Sequence, residues 1–191
     1  DTKALETARQ RLTVQPNAVS LVHASFADLA PVAQEQYFTN VDGILYDLGI
    51  SSLQLESKGR GFSFRSDEPL DMRFDPSQGA TAADIVNTGS PEMLEEVISN
   101  FGDEPRARRI SRAITEQRPI NTTRKLANVI EKGAGYRRGR THPATRTFQA
   151  LRIAVNGELN ALEQTLPQAV SLLRPGGRLV CIAYHSLEDR I

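Results

Sequence analysis

The sequence predicts an α/β fold: a parallel or mostly parallel sheet covered by helices, interrupted by an all-helical segment. Three short apolar runs, at residues 19–23 (VSLVH), 41–46 (VDGILY) and 178–184 (RLVCIAY), alternate with amphipathic stretches. That alternation is the order that builds parallel sheets. The second and third runs stop at polar groups, Asp47 and His185-Ser186, and open sheets hold ligands outside the carboxyl ends of their strands. Residues 81–142 carry helical signals and no strand signal. The expected organisation is therefore a sheet domain made of 1–80 and 143–191, with 81–142 as an insert.

Each element has a local reason. Asp1 caps a helix whose apolar residues fall at Ala4, Leu5, Ala8 and Leu12. The run 19–23 reads as a strand, followed by a turn that carries Phe26. The strand 41–46 leads into Asp47, a small-residue turn (Gly49, Ser51, Ser52), and then some thirty residues with little periodicity. Loops of that length are functional or disordered, and Phe62, Phe64, Leu70, Met72 and Phe74 make this one too apolar for disorder. Short helices are expected at 81–87 and at 91–101, the latter with Pro91 in its first turn and Met93, Leu94, Val97, Ile98 and Phe101 at helical spacing. A basic helix follows at 104–117, and Thr122 or Thr123 caps the next, with Leu126, Val129 and Ile130 buried. Residues 133–142 read as a basic loop. A long helix is expected at 145–166, a shorter one at 167–173, then a stop at Arg174-Pro175-Gly176-Gly177 and a buried strand.

Composition narrows the function classes. The chain has 191 residues, 24% charged and 39% hydrophobic, which suits one globular domain or a domain with an insertion. No apolar run approaches the length of a membrane helix, and no signal-peptide pattern opens the chain. The single cysteine, Cys181, excludes an internal disulfide framework, fits a cytoplasmic location, and is expected to be a buried thiol. One cysteine and three scattered histidines give no metal-ligand spacing. The zero net charge hides a segregation, because residues 104–140 hold eleven basic side chains against Glu104, Glu116 and Glu131. That excess points to a polyanion such as nucleic acid, against the plainer reading of a solvated helix face.

Asp47 reads either as a ligand-contacting carboxylate or as a cap for the following helix. Phe26 reads as core or as a flank for a flat aromatic ligand group, and His185 as a functional or a hydrogen-bonded structural histidine. No G-x-G-x-x-G fingerprint supports a nucleotide-dependent oxidoreductase.

Five segments in order, LYDLGISSLQL, RGFSF, PLDMR, HPATRTFQALRI and HSLEDRI, resemble the bacterial ribosomal RNA small-subunit methyltransferase family that methylates N4 of a cytidine in the decoding centre. The resemblance runs over the whole chain. It implies a class I (Rossmann-like) methyltransferase sheet with an inserted all-helical subdomain, S-adenosylmethionine as cofactor, and small-subunit ribosomal RNA or the assembling small subunit as partner. It places donor contacts at Phe26, Asp47 and Gln54. Asp1 matches the second Asp of a D-x-D-type segment, so the family's ribose-binding acid, its glycine-rich loop and its basic C-terminal region are expected to lie outside these residues. A polypeptide of these residues alone is expected to bind the donor poorly and to be inactive.

Cytosine N4 is a weak nucleophile, so acceptors for its hydrogens are needed beside the donor. Asp47 is the first candidate, helped by the carbonyls of Leu48 and Gly49, and His185 is the second. A stacked base must be extruded or already unpaired to reach such a site. Phe62 and Phe64 are candidates to stack on it, while core packing of the loop is the expected role of at least one. Arg60, Arg65, Arg73, His142 and Arg146 are expected phosphate or ribose contacts, with a carboxylate partner as the alternative for Arg146. A non-catalytic RNA-binding or assembly factor on the same scaffold is the competing function.

Overall fold

The computed structural model describes residues 1–12, 18–135 and 142–191. In chain order the elements are α1 (Thr2–Arg11), a 3-10 turn (Phe26–Asp28) running into α2 (Leu29–Glu35), β1 (Val41–Asp47), α3 (Ser52–Glu56), α4 (Ala82–Thr88), α5 (Pro91–Gly102), α6 (Ala107–Glu116), α7 (Thr123–Ala134), α8 (Ala144–Asn156), α9 (Glu158–Leu172), β2 (Leu173–Ile182) and α10 (Ser186–Asp189). The chain is mixed α/β, with a small parallel sheet and many helices. It divides into two compact units, Asp1–Ile50 with Glu158–Ile191, and Ser51–Gly157. The second unit is thus wider than the 81–142 insert drawn from the sequence.

In the first unit β1 and β2 form a two-stranded parallel ladder, Gly43 to Asp47 opposite Arg178 to Ile182. Val41 pairs with Leu173, and the four residues between Leu173 and Arg178 bulge out, with Gly176 at φ +83°. Strand alternation sends Ile44, Tyr46 and Leu48 to one side, where they pack with Leu162, Leu166 and Ala169 of α9, with Leu29, and with Leu179. The opposite face is open: Leu45 is 63% exposed and Val180 49%. Three expectations are corrected here. Residues 19–23 form no strand, because an apolar run becomes a strand only with a ladder partner, and among the described residues β1 pairs with β2 alone. The strand through 178–184 is largely exposed rather than buried, and Cys181 is an exposed thiol; among the described residues β2 pairs with β1 alone.

The expected helix over 145–166 is two helices. Gly157, in the left-handed conformation at φ 60°, ψ 32°, ends α8, and α9 then runs through Pro167 instead of starting there. The Asn156-Gly157 pair is a turn signal set within a continuous apolar stripe.

The second unit holds the larger core. Leu94 and Ile98 of α5, Ile110 and Ile114 of α6, Leu126 and Ile130 of α7, and Leu151 and Ile153 of α8 are all essentially inaccessible. Burial of each such side chain contributes roughly 1.5–3 kcal/mol. Local signals set the helix starts: Ser90 caps α5 ahead of Pro91, Thr122 caps α7, and Thr81 with Asp84 forms a capping box on α4. The apolar loop 60–74 is folded onto this unit. The Arg60 guanidinium donates to the carbonyls of Arg73 and Phe74 at 2.9 and 3.1 Å. Asn156 accepts the Phe74 N–H at 2.7 Å and donates to the Met72 carbonyl at 2.8 Å.

Asp71 and Arg73 form a two-point ion pair, with Nε and Nη2 of Arg73 each 2.8 Å from a carboxylate oxygen. Burial raises the Asp71 carboxyl, but the hydrogen bonds and charge of Arg73, with the charge of Arg60, lower it by more. Its folded value therefore lies below the unfolded one of about 3.9. A depressed carboxyl contributes stability above the unfolded value and loses it as pH falls through the folded one. Asp71→Asn is expected to melt lower than wild type at pH 7, with the gap closing as pH drops below about 4. A constant gap across a series of thermal melts from neutral to strongly acid pH would reject the assignment. No described helix is long and apolar enough to cross a membrane.

Candidate functional site

Asp47 closes β1 with its side chain exposed. The backbone beyond it is anchored: the Leu48 N–H donates to the Ile182 carbonyl at 3.1 Å, and the Leu48 side chain is buried. Asp47 does not cap the next helix. Ser51 does, in a capping box with Gln54, whose Oε1 accepts the Ser51 N–H at 2.9 Å. The pattern S-x-x-Q signals such a box, yet the reading from sequence missed both the box and α3.

Asp47 has a partner that the sequence reading also missed. Tyr184, two residues past β2, donates its hydroxyl to Asp47 Oδ1 at 3.2 Å. That hydrogen bond, and then the Asp47 charge, hold the Tyr184 hydroxyl above its ordinary value. Gly49, at φ +83°, lies beside the ring: a Cβ there would be 3.4 Å from Tyr184 Cδ2, an ordinary contact, so the backbone conformation is what favours glycine. His185 follows, with Nε2 3.3 Å from Oε1 of the buried Glu188. Phe26 is 38% exposed, and its ring centroid lies 6.0 Å from that of Tyr46. Tyr46 shares a 2.6 Å hydrogen bond with Thr165. Burial pushes the Tyr46 hydroxyl up, against the pull of that bond. Phe26, Asp47, Tyr184, His185 and Glu188 all belong to the first unit.

The remaining sequence candidates lie in the second unit. Gln54 is buried with its carbonyl in the capping box. Phe62 is core, with its ring 5.8 Å from that of Phe74 and the Arg60 guanidinium 5.5 Å from its centroid. Phe64 is half-buried; it stacks on His142 at 4.4 Å and meets the edge of Phe148 at 5.0 Å. His142 Nε2 lies 2.9 Å from Glu131, and Nδ1 accepts the Ala144 N–H at 3.1 Å. Arg60 and Arg73 hold the loop as described, and Arg146 donates to the Asp103 carbonyl at 2.7 Å, where α5 ends. Of the basic helix, Arg108, Arg109 and Arg112 are exposed, whereas Arg106 donates to the Ala134 carbonyl. Arg137, Arg138 and Arg140 lie outside the described residues.

The profile of the MraW methylase family matches residues 1–191, the whole chain. The chain belongs to the MraW methylase family. MraW-family relatives agree over its full length. A protein of Dehalococcoides mccartyi named ribosomal RNA small subunit methyltransferase H is 56% identical over 191 residues, covering 100% of this chain and 55% of the relative. Relatives of the same name from Thermomicrobium roseum and Thermobifida fusca are 55% and 48% identical, and 60% and 59% of their lengths are covered. The chain thus spans a little over half the length of these MraW-family proteins.

Proposed function

We propose that the full-length protein carrying this chain methylates the exocyclic N4 of a cytidine in the decoding centre of small-subunit ribosomal RNA, using S-adenosylmethionine. The observation that carries the reading is the pair of parallel strands ending side by side in Asp47 and, three residues past Ile182, His185. The family and the names of its relatives supply the reaction class. A Rossmann-like class I sheet fits the parallel ladder and the open apolar face at Leu45 and Val180.

The residues of the first unit suit this donor. An exposed carboxylate complements a cationic ligand, and the exposed Phe26 ring offers a flat face to an adenine. When bound, the donor supplies an electrophilic methyl group on a sulfonium. The chain's own groups then act on the acceptor. Asp47 accepts an N4–H of the cytosine, which localises the nitrogen lone pair and orients it. Its carboxylate, or His185, takes the proton released once N4 becomes cationic. Phe64 and His142 present stacked rings to RNA, while Arg60, Phe62, Arg73 and Arg146 shape the loop that would meet it. Residues 81–142 are the RNA-recognition region of this proposal.

The test is transfer of labelled methyl from S-adenosylmethionine to small-subunit RNA or to assembling particles by the full-length protein. No incorporation into either substrate would reject the function. Arg108, Arg109 and Arg112 supply sequence-independent affinity through counterion release. Replacing all three by Gln is expected to lower the slope of log affinity against log salt by about 2–3. An unchanged slope in a filter-binding titration would remove them from the interface.

A further inference from the structure

We propose that Glu188 is a positioning residue for methyl transfer, its buried carboxylate setting the backbone of Tyr184 and the ring of His185 and, through the Tyr184 hydroxyl, the orientation of Asp47. The inference rests on the function proposed above and deepens it.

Glutamate is rarely buried unless its oxygens are matched. Glu188 is 7% exposed, and each oxygen has its own partner. Oε2 accepts the Tyr184 N–H at 2.9 Å, and Oε1 lies 3.3 Å from His185 Nε2. The Glu188 N–H also donates back to the His185 carbonyl at 3.2 Å. One side chain therefore meets both Tyr184 and His185, the second and third residues past β2.

A simple turn staple would need only the backbone bond. Two features exceed it. The second oxygen lies 3.3 Å from Nε2 of the His185 imidazole, close enough to limit where that ring can sit. Tyr184 is 69% exposed, so packing does not dictate its rotamer, yet its hydroxyl lies against Asp47 and its ring against Gly49. The hydroxyl engages Oδ1 of Asp47 and leaves Oδ2 for the amine of the target. The raised Tyr184 hydroxyl agrees with a donor that stays protonated beside the carboxylate.

The experiment uses the full-length protein, with methyl transfer measured over a range of donor and RNA concentrations. Glu188→Gln is expected to lower kcat by roughly 10–50-fold with the KM for the donor within about threefold, because misaligned groups lose rate before binding. Tyr184→Phe, which removes only an exposed hydroxyl, is expected to lower kcat by about 3–10-fold with an unchanged melting midpoint. The double variant is expected to be no slower than Glu188→Gln alone, since both changes break one network. Glu188→Asp keeps the charge one methylene short and should recover part of the loss. A Glu188→Gln enzyme within twofold of wild-type kcat, or losses that multiply in the double variant, would overturn the proposal. Should Glu188→Gln fail to fold, an unchanged kcat in Tyr184→Phe overturns it equally. Wild-type protein without methyl transfer would instead sink the functional reading, and this inference with it.

Discussion

Asp47→Ala in the full-length protein is expected to lower methyl transfer by about 10²–10⁴-fold while leaving the melting midpoint within a few degrees of wild type. The large kinetic effect follows from the role of the carboxylate: a delocalised amine attacks slowly unless an acceptor draws on its hydrogens at the moment of transfer. The small structural effect follows from geometry. The side chain is exposed and receives one hydrogen bond, from Tyr184. The β1 end is held by Leu48 instead, and α3 is capped by Ser51, so neither depends on Asp47. Calorimetry should show donor affinity reduced by less than kcat. If Asp47→Ala transferred methyl groups within threefold of wild type, the carboxylate would have no place in the reaction. A variant with no transfer but intact support of small-subunit assembly in cells would favour the non-catalytic alternative.

Gly61→Ala is expected to destabilise the second unit by on the order of 3 kcal/mol or more. The residue sits at φ +72°, and a Cβ there would lie 2.5 Å from the Pro69 carbonyl oxygen and 2.7 Å from the Asp71 nitrogen. Both contacts are backbone, so no side chain can swing away. The neighbouring turn is already fixed by the Met72 N–H to Arg60 carbonyl bond at 2.9 Å. Gly59 provides the control. It shares the positive φ, at +80°, but a Cβ there meets nothing within 4 Å, so Gly59→Ala should cost only about 1 kcal/mol. Urea unfolding followed by circular dichroism would separate the two. Equal losses would mean that backbone conformation, not the close approach of 69–71, sets the need for glycine.

These cases show which parts of the molecule were legible from sequence. β1 was readable because an apolar run ends at one carboxylate, and α5 and α7 because Pro91 and the Thr122-Thr123 pair mark their starts. Residues 19–23 misled because apolarity signals burial or pairing without naming the partner. The exposure of Cys181 could not be read for the same reason: a strand pattern is silent about which edge is covered. At the site, Asp47, His185 and Glu188 are polar groups after apolar strands, but nothing in the pattern gives Glu188 a role or marks Tyr184 as the partner of Asp47. The bond to the Glu188 carboxylate comes from the main-chain N–H of Tyr184, a donor that no side-chain pattern marks. The arginines illustrate the same blindness. Charge marked Arg60, Arg73 and Arg146 as anion contacts, but all three donate to main-chain carbonyls of their own unit, acceptors that every residue possesses.

The discontinuity of the first unit sets an order of events during synthesis. Val41 pairs with Leu173, so more than a hundred residues leave the ribosome between β1 and the strand that completes its ladder. Everything in Ser51–Gly157 emerges in that interval, and it is contiguous, rich in local helical contacts and equipped with its own core. Such a segment can fold while β2 is still untranslated. Its folding replaces a long flexible loop, costly to close, by a compact tether. Until then β1 presents an unpaired edge, and the nascent chain is at its most vulnerable to wrong strand pairing.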